Sequence, residues 1–523
     1  MSNDGEQRQV KQVRSASVAA RAGGLVLPSA HAPALVSAAR ANADELDALL
    51  VMVPLPTSSA ALRRLPESAR WRELAARTPP RAGSVRTTVL SNRRHTLAVL
   101  GYIASDASAF ERLTLAARLL KEAAARQPEV IGLAAAGSSA SARAALEALL
   151  AAALAHAFAL PSWRARSPQE RGIRRLVLLG EELPDTRYAV AVGAGTNLAR
   201  WLTSLPPNVL DARAYRQGIQ RLARTHGLTF RWLDERALRR AGAQAFLAVA
   251  AGNSQPGAGI AHLKYRPARR RTAAPDVALI GKGILFDTGG VNLKPHRSML
   301  EMHTDMAGSA VALATLIALA ELRAPFAADA WLAITENRIG PQAYRPQEVV
   351  RAANGVTIQV IHTDAEGRMV LADTLALAAR TRPRLMIDFA TLTGACVYAL
   401  TERMSGVFTN RPALLPRLLE AGRASGERVW NFPFDSDYDA ELESKVADVV
   451  QCAVDGKGDH ILATRFLSRF VPENLPWVHV DLSSATRSGG LAHVSSDVTG
   501  FGVRWALELL LHQQGLQGLE RPA

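Results

Sequence analysis

Apolar residues in the first third of the chain form short continuous runs that alternate with longer stretches of helical period. The runs at 25–30, 96–104 and 174–183 are typical of buried strands, and the Ala-rich stretches at 110–127 and 141–160 are typical of helices. We therefore predict an N-terminal α/β domain, preceded by a flexible tail that lacks the apolar segment of a secretory signal. The predicted bounds are residues 1–25 for the tail and 26–185 for the domain.

The rest of the chain, residues 186–523, repeats this alternation with more strongly apolar segments. Alternating strands and helices indicate a second α/β domain, an α/β/α arrangement whose helices cover a mixed, largely parallel sheet. In such sheets the ligand site lies at the carboxyl ends of the strands. The predicted strands are 276–283, 328–335, 356–361 and 384–392, and the predicted long helices are 306–322 and 369–381.

The composition is that of a globular protein, with 48% hydrophobic and 21% charged residues. No uninterrupted apolar run approaches the roughly 20 residues of a transmembrane helix, so we predict no membrane contact. The two cysteines, Cys396 and Cys452, form no CxxC pair and cannot build a disulfide framework, which fits a reducing cytoplasm. Cys396 lies in an apolar run, where packing is favoured over a nucleophilic role.

The formal charge of +15 is concentrated near the N-terminus. Residues 1–180 contain 24 Lys and Arg against 13 Asp and Glu, a net charge of +11. Such an excess allows binding of DNA or another polyanion, but an Arg- and Ala-rich composition bias is the favoured explanation. No zinc finger, RNA-binding signature or basic region with heptads accompanies the charge.

Charged residues cluster in three loops that the prediction places at one edge of the second sheet. Any one of the carboxylates, such as Asp305 or Asp364, is expected to be a helix cap or a solvated charge. Four carboxylates that converge beside buried strands repel one another unless cations neutralise them, and hard oxygen ligands suit divalent metals. A two-metal hydrolytic site is therefore predicted from the residues Lys282, Asp287, Lys294, Asp305, Asp364, Glu366 and Arg368.

Lysine is rare in this chain, with seven residues against 55 arginines, yet Lys282 and Lys294 fall within one Gly-rich loop. Arginine cannot lose its proton in a protein, whereas a buried lysine can and then offers a lone pair to a metal. Lys282, at the end of the predicted strand 276–283, is therefore a candidate metal ligand, although two lysines can also share one loop by chance.

These segments resemble the leucine aminopeptidase (cytosol aminopeptidase) family of metallopeptidases. The segments that carry the resemblance are HTDAEGRMVLAD at 362–373, GKGILFDTGGVNLKP at 281–295, AYRP at 343–346, ATLTGA at 390–395, FLSRF at 466–470 and TGFGVR at 499–504. The resemblance covers roughly residues 190–515. It implies a cytoplasmic homohexamer that removes N-terminal residues from peptides.

The resemblance also implies roles for individual residues. One Zn²⁺ or Mn²⁺ ion is expected on Lys282, Asp287, Asp305 and Glu366, and a second on Asp287, Asp364 and Glu366. Lys294 is expected to polarise the scissile carbonyl. Arg368 is expected to anchor a bicarbonate that acts as general base, with the backbone around Gly367 and Leu392 helping to hold it. The pocket for the first side chain is expected to contain Met302, Thr391 and Gly394, which suits an apolar residue such as Leu or Met.

The chain departs from the family pattern at several places. His362 stands where the signature has Asn, and a leaving-group pocket, packing and direct metal binding are all open to it. The segment 455–467 lacks the usual Gly-Ala richness before FLSRF. Two other functions stay open, a DNA-binding accessory or regulatory protein that uses the basic N-terminal part, and a scaffold without activity.

Overall fold

The computed structural model describes residues 25, 27–28, 33–38, 42–56, 62, 65–136, 139–164, 172–180, 183–268 and 274–521. The predicted tail lies outside the described residues, except for Leu25. These residues form two α/β units, and the predicted fold class is confirmed. The predicted boundary between 185 and 186 stays a prediction; a helix that begins at Thr186 packs on elements of both units.

The first unit contains a six-stranded sheet in which all neighbours are parallel except the last pair, β4 and β3. Its order is β1-β6-β5-β2-β4-β3, with β1 Ala34–Ala38, β2 Ala48–Leu55, β3 Val85–Val89, β4 Leu97–Ala104, β5 Val130–Ala135 and β6 Arg175–Leu179. Strands predicted at 96–104 and 174–183 are present as β4 and β6. The strand predicted at 25–30 is wrong, because none of its described residues lies in a strand.

The second unit contains an eight-stranded mixed sheet whose four central strands are parallel. These four are β10, β9, β13 and β17, and their carboxyl ends meet at one edge. The full order is β15-β14-β17-β13-β9-β10-β8-β7, with β7 Thr229–Asp234, β8 Gly259–Tyr265, β9 Val277–Asp287, β10 Ala328–Asn337, β13 Leu385–Ala390, β14 Ser405–Thr409, β15 Val429–Asn431 and β17 Trp477–Asp481.

The strand predicted at 356–361 does not belong to this sheet. Only Thr357–Gln359 is a strand, β12, and it pairs with β11 (Val349–Arg351) and β16 (Val449–Val450) in a separate three-stranded sheet. Its apolar run is short, with a single buried residue in β12, so sequence alone did not separate it from a central strand. The acidic loop that follows it nevertheless reaches the same edge.

The helices cover both faces of the sheets, and the predicted helices at 110–127, 141–160, 306–322 and 369–381 are all present. In chain order they are α1 Ser68–Arg77, α2 Ala109–Ala124, α3 Ser139–Ala157, α4 Thr186–Thr203, α5 Ala212–Thr225, α6 Glu235–Ala241, α7 Gln244–Ala250, α8 His296–Met299, α9 Ala307–Glu321, α10 Glu366–Ala379, α11 Gly394–Leu400, α12 Leu415–Ser425, α13 Asp459–Ser468 and α14 Val503–Leu511.

Helix α9 is the central core helix of the second unit. Among the described residues, one helical segment, His296–Glu321, is long and apolar enough to cross a membrane, and its most apolar window of 18 residues has a mean hydropathy of 1.3. However, 83% of its most apolar window is buried inside the protein. It therefore has the burial of a helix in a protein core, where apolar residues on all sides are expected.

Two glycines let the start of α9 lie directly on the backbone of the neighbouring strands β9 and β13. A Cβ atom on Gly281 would lie 2.5 Å from the Cα of Ser309, and one on Gly308 would lie 2.0 Å from the carbonyl oxygen of Phe389. Only glycine allows an approach this close. Lys282 on β9 and Asp305 just before α9 are consequently held at a fixed separation.

We expect Gly308→Ala to destabilise the protein by about 3 kcal/mol, because the added methyl group meets backbone that cannot move aside. The urea concentration at the midpoint of unfolding measures this loss of stability and should be lower for the variant than for the wild type. Gly172→Ala is the matched control, since no atom lies within 4 Å of a Cβ there. Equal midpoints for the two variants would show that the helix start has room to shift.

Candidate metal centre

The candidate site lies at the carboxyl ends of the parallel strands, where the prediction placed it. Asp287 ends β9, and Glu366 begins α10. One ligand atom from each of Asp287, Asp364 and Glu366 lies within 4.8 Å of the other two. Three of the predicted metal ligands therefore converge on one small volume.

Lys282 brings the fourth carboxylate into the same cluster. Its Nζ lies 2.8 Å from Asp305 Oδ1 and 2.9 Å from Glu366 Oε1, and it donates to the carbonyl oxygen of Thr391 at 2.8 Å. The Thr391 hydroxyl donates to the same Asp305 oxygen at 2.6 Å. All four carboxylates therefore belong to one connected site.

Lys294 forms ion pairs with Asp287 and Asp364, the two carboxylates that Lys282 does not pair with. Its Nζ lies 2.9 Å from Asp287 Oδ2 and 2.6 Å from Asp364 Oδ1. Lys282 and Lys294 thus each connect a different pair of acidic side chains. The prediction that both lysines lie in one loop is wrong, because Lys282 lies within β9, which continues to Asp287, and only Lys294 lies in the loop that follows.

The capping alternative for the two aspartates does not hold. The residue that precedes α9 is Met306 and the residue that precedes α10 is Ala365, and neither helix has a side-chain cap at its start. Asp305 and Asp364 direct their carboxylates at lysines instead.

Burial and mutual repulsion disfavour the charged forms of these carboxylates. Burial, and then the charge of Asp287, raise the pKa of Glu366 and that of Asp364 above their ordinary values. Burial also raises the pKa of Asp305. The charged forms of these three carboxyl groups are therefore disfavoured, and nearby positive charge stabilises the cluster in its ionised form.

The carboxylates of the cluster favour the charged forms of the two lysines. Burial by itself would lower the pKa of Lys282, but the carboxylates of Asp305 and Glu366 raise it above its ordinary value. The pKa of Lys294 is raised in the same way by Asp287 and Glu366 against the effect of burial. Both amines are therefore ammonium groups in this arrangement, and Lys282 has to lose a proton before its nitrogen can bind a metal.

The residues present fit divalent cations. Four carboxylates against two ammonium groups leave a net charge of −2 in a buried volume. Asp305 Oδ2 is buried and has no hydrogen-bond donor among the described residues, so one hard oxygen ligand is unused. The excess negative charge and the unused oxygen both match a site for divalent metal ions.

The resemblance implies that Arg368 binds a dissolved anion, but in this structure its guanidinium binds groups of the chain itself. Its side chain is only 2% exposed, and its Nη2 donates to both carboxylate oxygens of Asp459 at 2.8 Å. Its Nη1 donates to the carbonyl oxygen of Gln451 at 3.1 Å. The amide of Leu392 donates to Asp481 Oδ1 at 3.0 Å. Two of the predicted bicarbonate donors thus already bind carboxylates of the chain, and a bicarbonate does not fit this arrangement.

Gly367 has a steric role in the site. A Cβ atom at this position would lie 2.5 Å from the Cε of Lys282 and 2.7 Å from its Nζ. The glycine therefore gives the lysine side chain room to pass the first turn of α10 and reach Glu366.

The residues predicted for the substrate pocket lie around the cluster with different degrees of exposure. Thr391 contacts Asp305 directly, Met302 lies on the 3-10 turn that leads to it, and Gly394 is exposed at the start of α11. His362 is exposed, and its Nδ1 accepts the Asp364 amide at 3.3 Å. This contact places His362 beside a predicted ligand, and its role stays a prediction.

Three polar residues of the site were not identified from the sequence. Asn337 ends β10 and donates from Nδ2 to Asp287 Oδ1 at 2.8 Å and to the Thr363 carbonyl at 3.0 Å. Asp481 ends β17, and Asp459 begins α13. A polar residue at the end of each central strand was an available signal for Asn337 and Asp481, and the unusual segment 455–467 was one for Asp459.

Comparison with known proteins identifies the family that this chain matches. The model of the cytosol aminopeptidase family, catalytic domain, matches residues 197–507, which is more than half of the chain. A probable cytosol aminopeptidase of Syntrophotalea carbinolica is 42% identical over 323 residues, 61% of this chain and 63% of that protein. One of Stutzerimonas stutzeri is 38% identical over 341 residues, 64% of this chain and 68% of that protein. The match thus spans about two thirds of the length of these relatives.

Solved structures extend the likeness to nearly the whole chain. A tomato leucine aminopeptidase mutant superposes with a TM-score of 0.80 at 27% identity, covering 93% of this chain and 98% of that one. The bottromycin maturation enzyme BotP in complex with Mn superposes with a TM-score of 0.75 at 30% identity, covering 90% and 100%. The matched fold, the carboxylate cluster and the family model agree. The chain belongs to the cytosol aminopeptidase family.

Proposed function

We propose that this protein is a metal-dependent, leucyl-type aminopeptidase that hydrolyses N-terminal residues from peptides. The observation that carries the proposal is the cluster of four carboxylates and two lysines at the edge of the parallel strands. Membership of the family and the likeness to a leucine aminopeptidase and to a Mn-bound enzyme support it.

The site would hold two divalent ions, Zn²⁺ or Mn²⁺. Asp287 and Glu366 would be shared between them, with Lys282 and Asp305 completing one set and Asp364 the other. Ions held there would bind the substrate's α-amine and supply a water of lowered pKa. A requirement for the free α-amine is what would make the enzyme an exopeptidase.

The side chains around the cluster have separate tasks in this proposal. Lys294 is an ammonium group beside Asp287 and Asp364, so it can donate a hydrogen bond to the scissile carbonyl as negative charge develops on that oxygen. Asn337 holds Asp287 in orientation. Met302, Thr391 and Gly394 would line the pocket for the first side chain and favour Leu or Met.

Metal removal tests the proposal directly. We expect about two divalent ions per chain in elemental analysis, loss of leucine amide hydrolysis with a chelator, and recovery with Zn²⁺ or Mn²⁺. Glu366→Gln removes a shared ligand, so its rate should fall further than the roughly 10–100-fold that loss of an outer-shell partner costs.

Asp329→Asn is the matched control for that variant. Asp329 is also fully buried and charge-paired, but with His262 and Arg266 near the start of β10, away from the cluster. The folded Asp329→Asn protein should contain as many metal ions as the wild type and hydrolyse leucine amide at the same rate. Full activity of metal-free protein or of Glu366→Gln would contradict the two-metal site.

Blocking the substrate's N-terminus tests the exopeptidase part. N-acetyl-leucine amide should be hydrolysed at least about 100-fold more slowly than leucine amide, because the lone pair of an acylated nitrogen is delocalised into its carbonyl group and binds a metal poorly. Initial rates measure this, and the same assay with Met-, Lys- and Glu-terminated amides measures the pocket. Rapid turnover of the acetylated substrate would refute the exopeptidase assignment, and a preference for Glu would refute the apolar pocket.

We also propose a homohexamer, on the family resemblance alone, and expect light scattering of the full chain to give about six times the 56.0 kDa of one chain. A monomer at working concentration would contradict it. A cytoplasmic location agrees with the names of the relatives. The DNA-binding alternative rests only on the charge of residues 1–180 and stays a prediction.

A further inference from the structure

The buried guanidinium of Arg368 already has an anion bound to it, and that anion belongs to the chain. The Arg368 side chain is 2% exposed and that of Asp459 is 25% exposed, so the carboxylate covers the guanidinium on the solvent side. Both Asp459 oxygens lie 2.8 Å from Nη2. Arg368 Nε is buried and has no acceptor among the described residues, whereas the Nη2 donor that an external anion would share is occupied by Asp459.

One of the two helices that carry this pair also carries a ligand of the metal cluster. Arg368 is in the first turn of α10, two residues after Glu366, and Asp459 is the first residue of α13, which packs on α10. The amide of Leu392, a second donor expected for the bicarbonate, faces Asp481. Asp459 lies in the segment 455–467, where the sequence departs from its family.

We propose that Asp459 replaces bicarbonate in this protein. Its carboxylate is the anion that Arg368 holds, and it is the general base of the hydrolysis. This inference rests on the proposed aminopeptidase function and makes the activity independent of dissolved bicarbonate.

The proton balance needs no further reactant. A water oxygen forms a bond to the carbonyl carbon, and one water proton passes to the Asp459 carboxylate. The bond between that carbon and the leaving nitrogen then breaks, and Asp459 returns the proton to the amine. Arg368 orients the Asp459 carboxylate through hydrogen bonds. The Asp459 side chain is 25% exposed, so water can reach it.

Two substitutions at one position separate this proposal from a purely structural role. In buffer freed of carbon dioxide, the wild-type holoenzyme should have the same kcat as in added bicarbonate. Asp459→Ala should lower kcat by about 100-fold or more, the usual contribution of a general base, and added bicarbonate should restore part of it. Asp459→Asn should lose as much but show no rescue, because its amide still covers Arg368.

The matched control is Asp439→Ala. Asp439 binds Arg465 through two hydrogen bonds of 2.7 Å, is 22% exposed and also contacts α13, away from Arg368. This variant should show no dependence on bicarbonate, which separates the loss of any Arg–Asp pair from the loss of the base. Thermal unfolding of all variants identifies those that remain folded, and Asp459→Asn keeps the test open if Asp459→Ala does not fold.

A binding measurement distinguishes failure of this inference from failure of the proposed function. In NMR with ¹³C-labelled bicarbonate, the folded Asp459→Ala protein should broaden the signal and the wild type should not. If the wild type binds or requires bicarbonate, or if Asp459→Ala keeps wild-type kcat, the inference is overturned. Absence of hydrolysis by the metal-loaded wild type would instead overturn the proposed function, and the NMR comparison would still decide the place of the anion.

Discussion

The crowding of four carboxylates at the edge of a buried sheet is the constraint on which the rest of the site depends. Burial and the negative charge of Asp287 raise the pKa of Asp305, Asp364 and Glu366, so positive charge is needed to stabilise the ionised cluster. Two lysine ammonium groups supply part of that charge, and a net charge of −2 remains. The fold therefore maintains a site whose electrostatics favour divalent cations, and the proposed hydrolysis uses that preference.

The sheet and its helices make this crowding possible by close backbone packing. Gly281 and Gly308 bring the start of α9 onto β9 and β13, and Gly367 leaves room for the Lys282 side chain to pass α10. Each glycine removes a side chain at a point where backbone or a functional side chain must pass. Side-chain positions at the site are consequently set by the rigid core, where Asn337 further fixes the orientation of Asp287.

The partners of Arg368 show how a side chain of the protein can take the place expected for a dissolved anion. The family resemblance implies a bicarbonate on Arg368, but an aspartate of the same chain accepts its hydrogen bonds. A tethered carboxylate has no binding equilibrium with the solvent, so its presence at the site does not depend on the concentration of a dissolved anion. The entropy that is lost when this carboxylate is fixed in place is part of the free energy of folding and does not weaken binding at the site.

The sequence by itself determined the α/β class, the long apolar helix α9 and the identity of the clustered carboxylates, because periodicity and a dense motif are local properties. It did not determine that residues 357–359 leave the main sheet, since a short apolar run fits an edge or a central strand equally well. Nor did it identify the partners of Arg368 and Asp287, which lie 91 and 50 residues away in the chain. Only the tertiary structure decides such contacts, because hydrogen bonding depends on distance in space, and separation along the chain does not fix that distance.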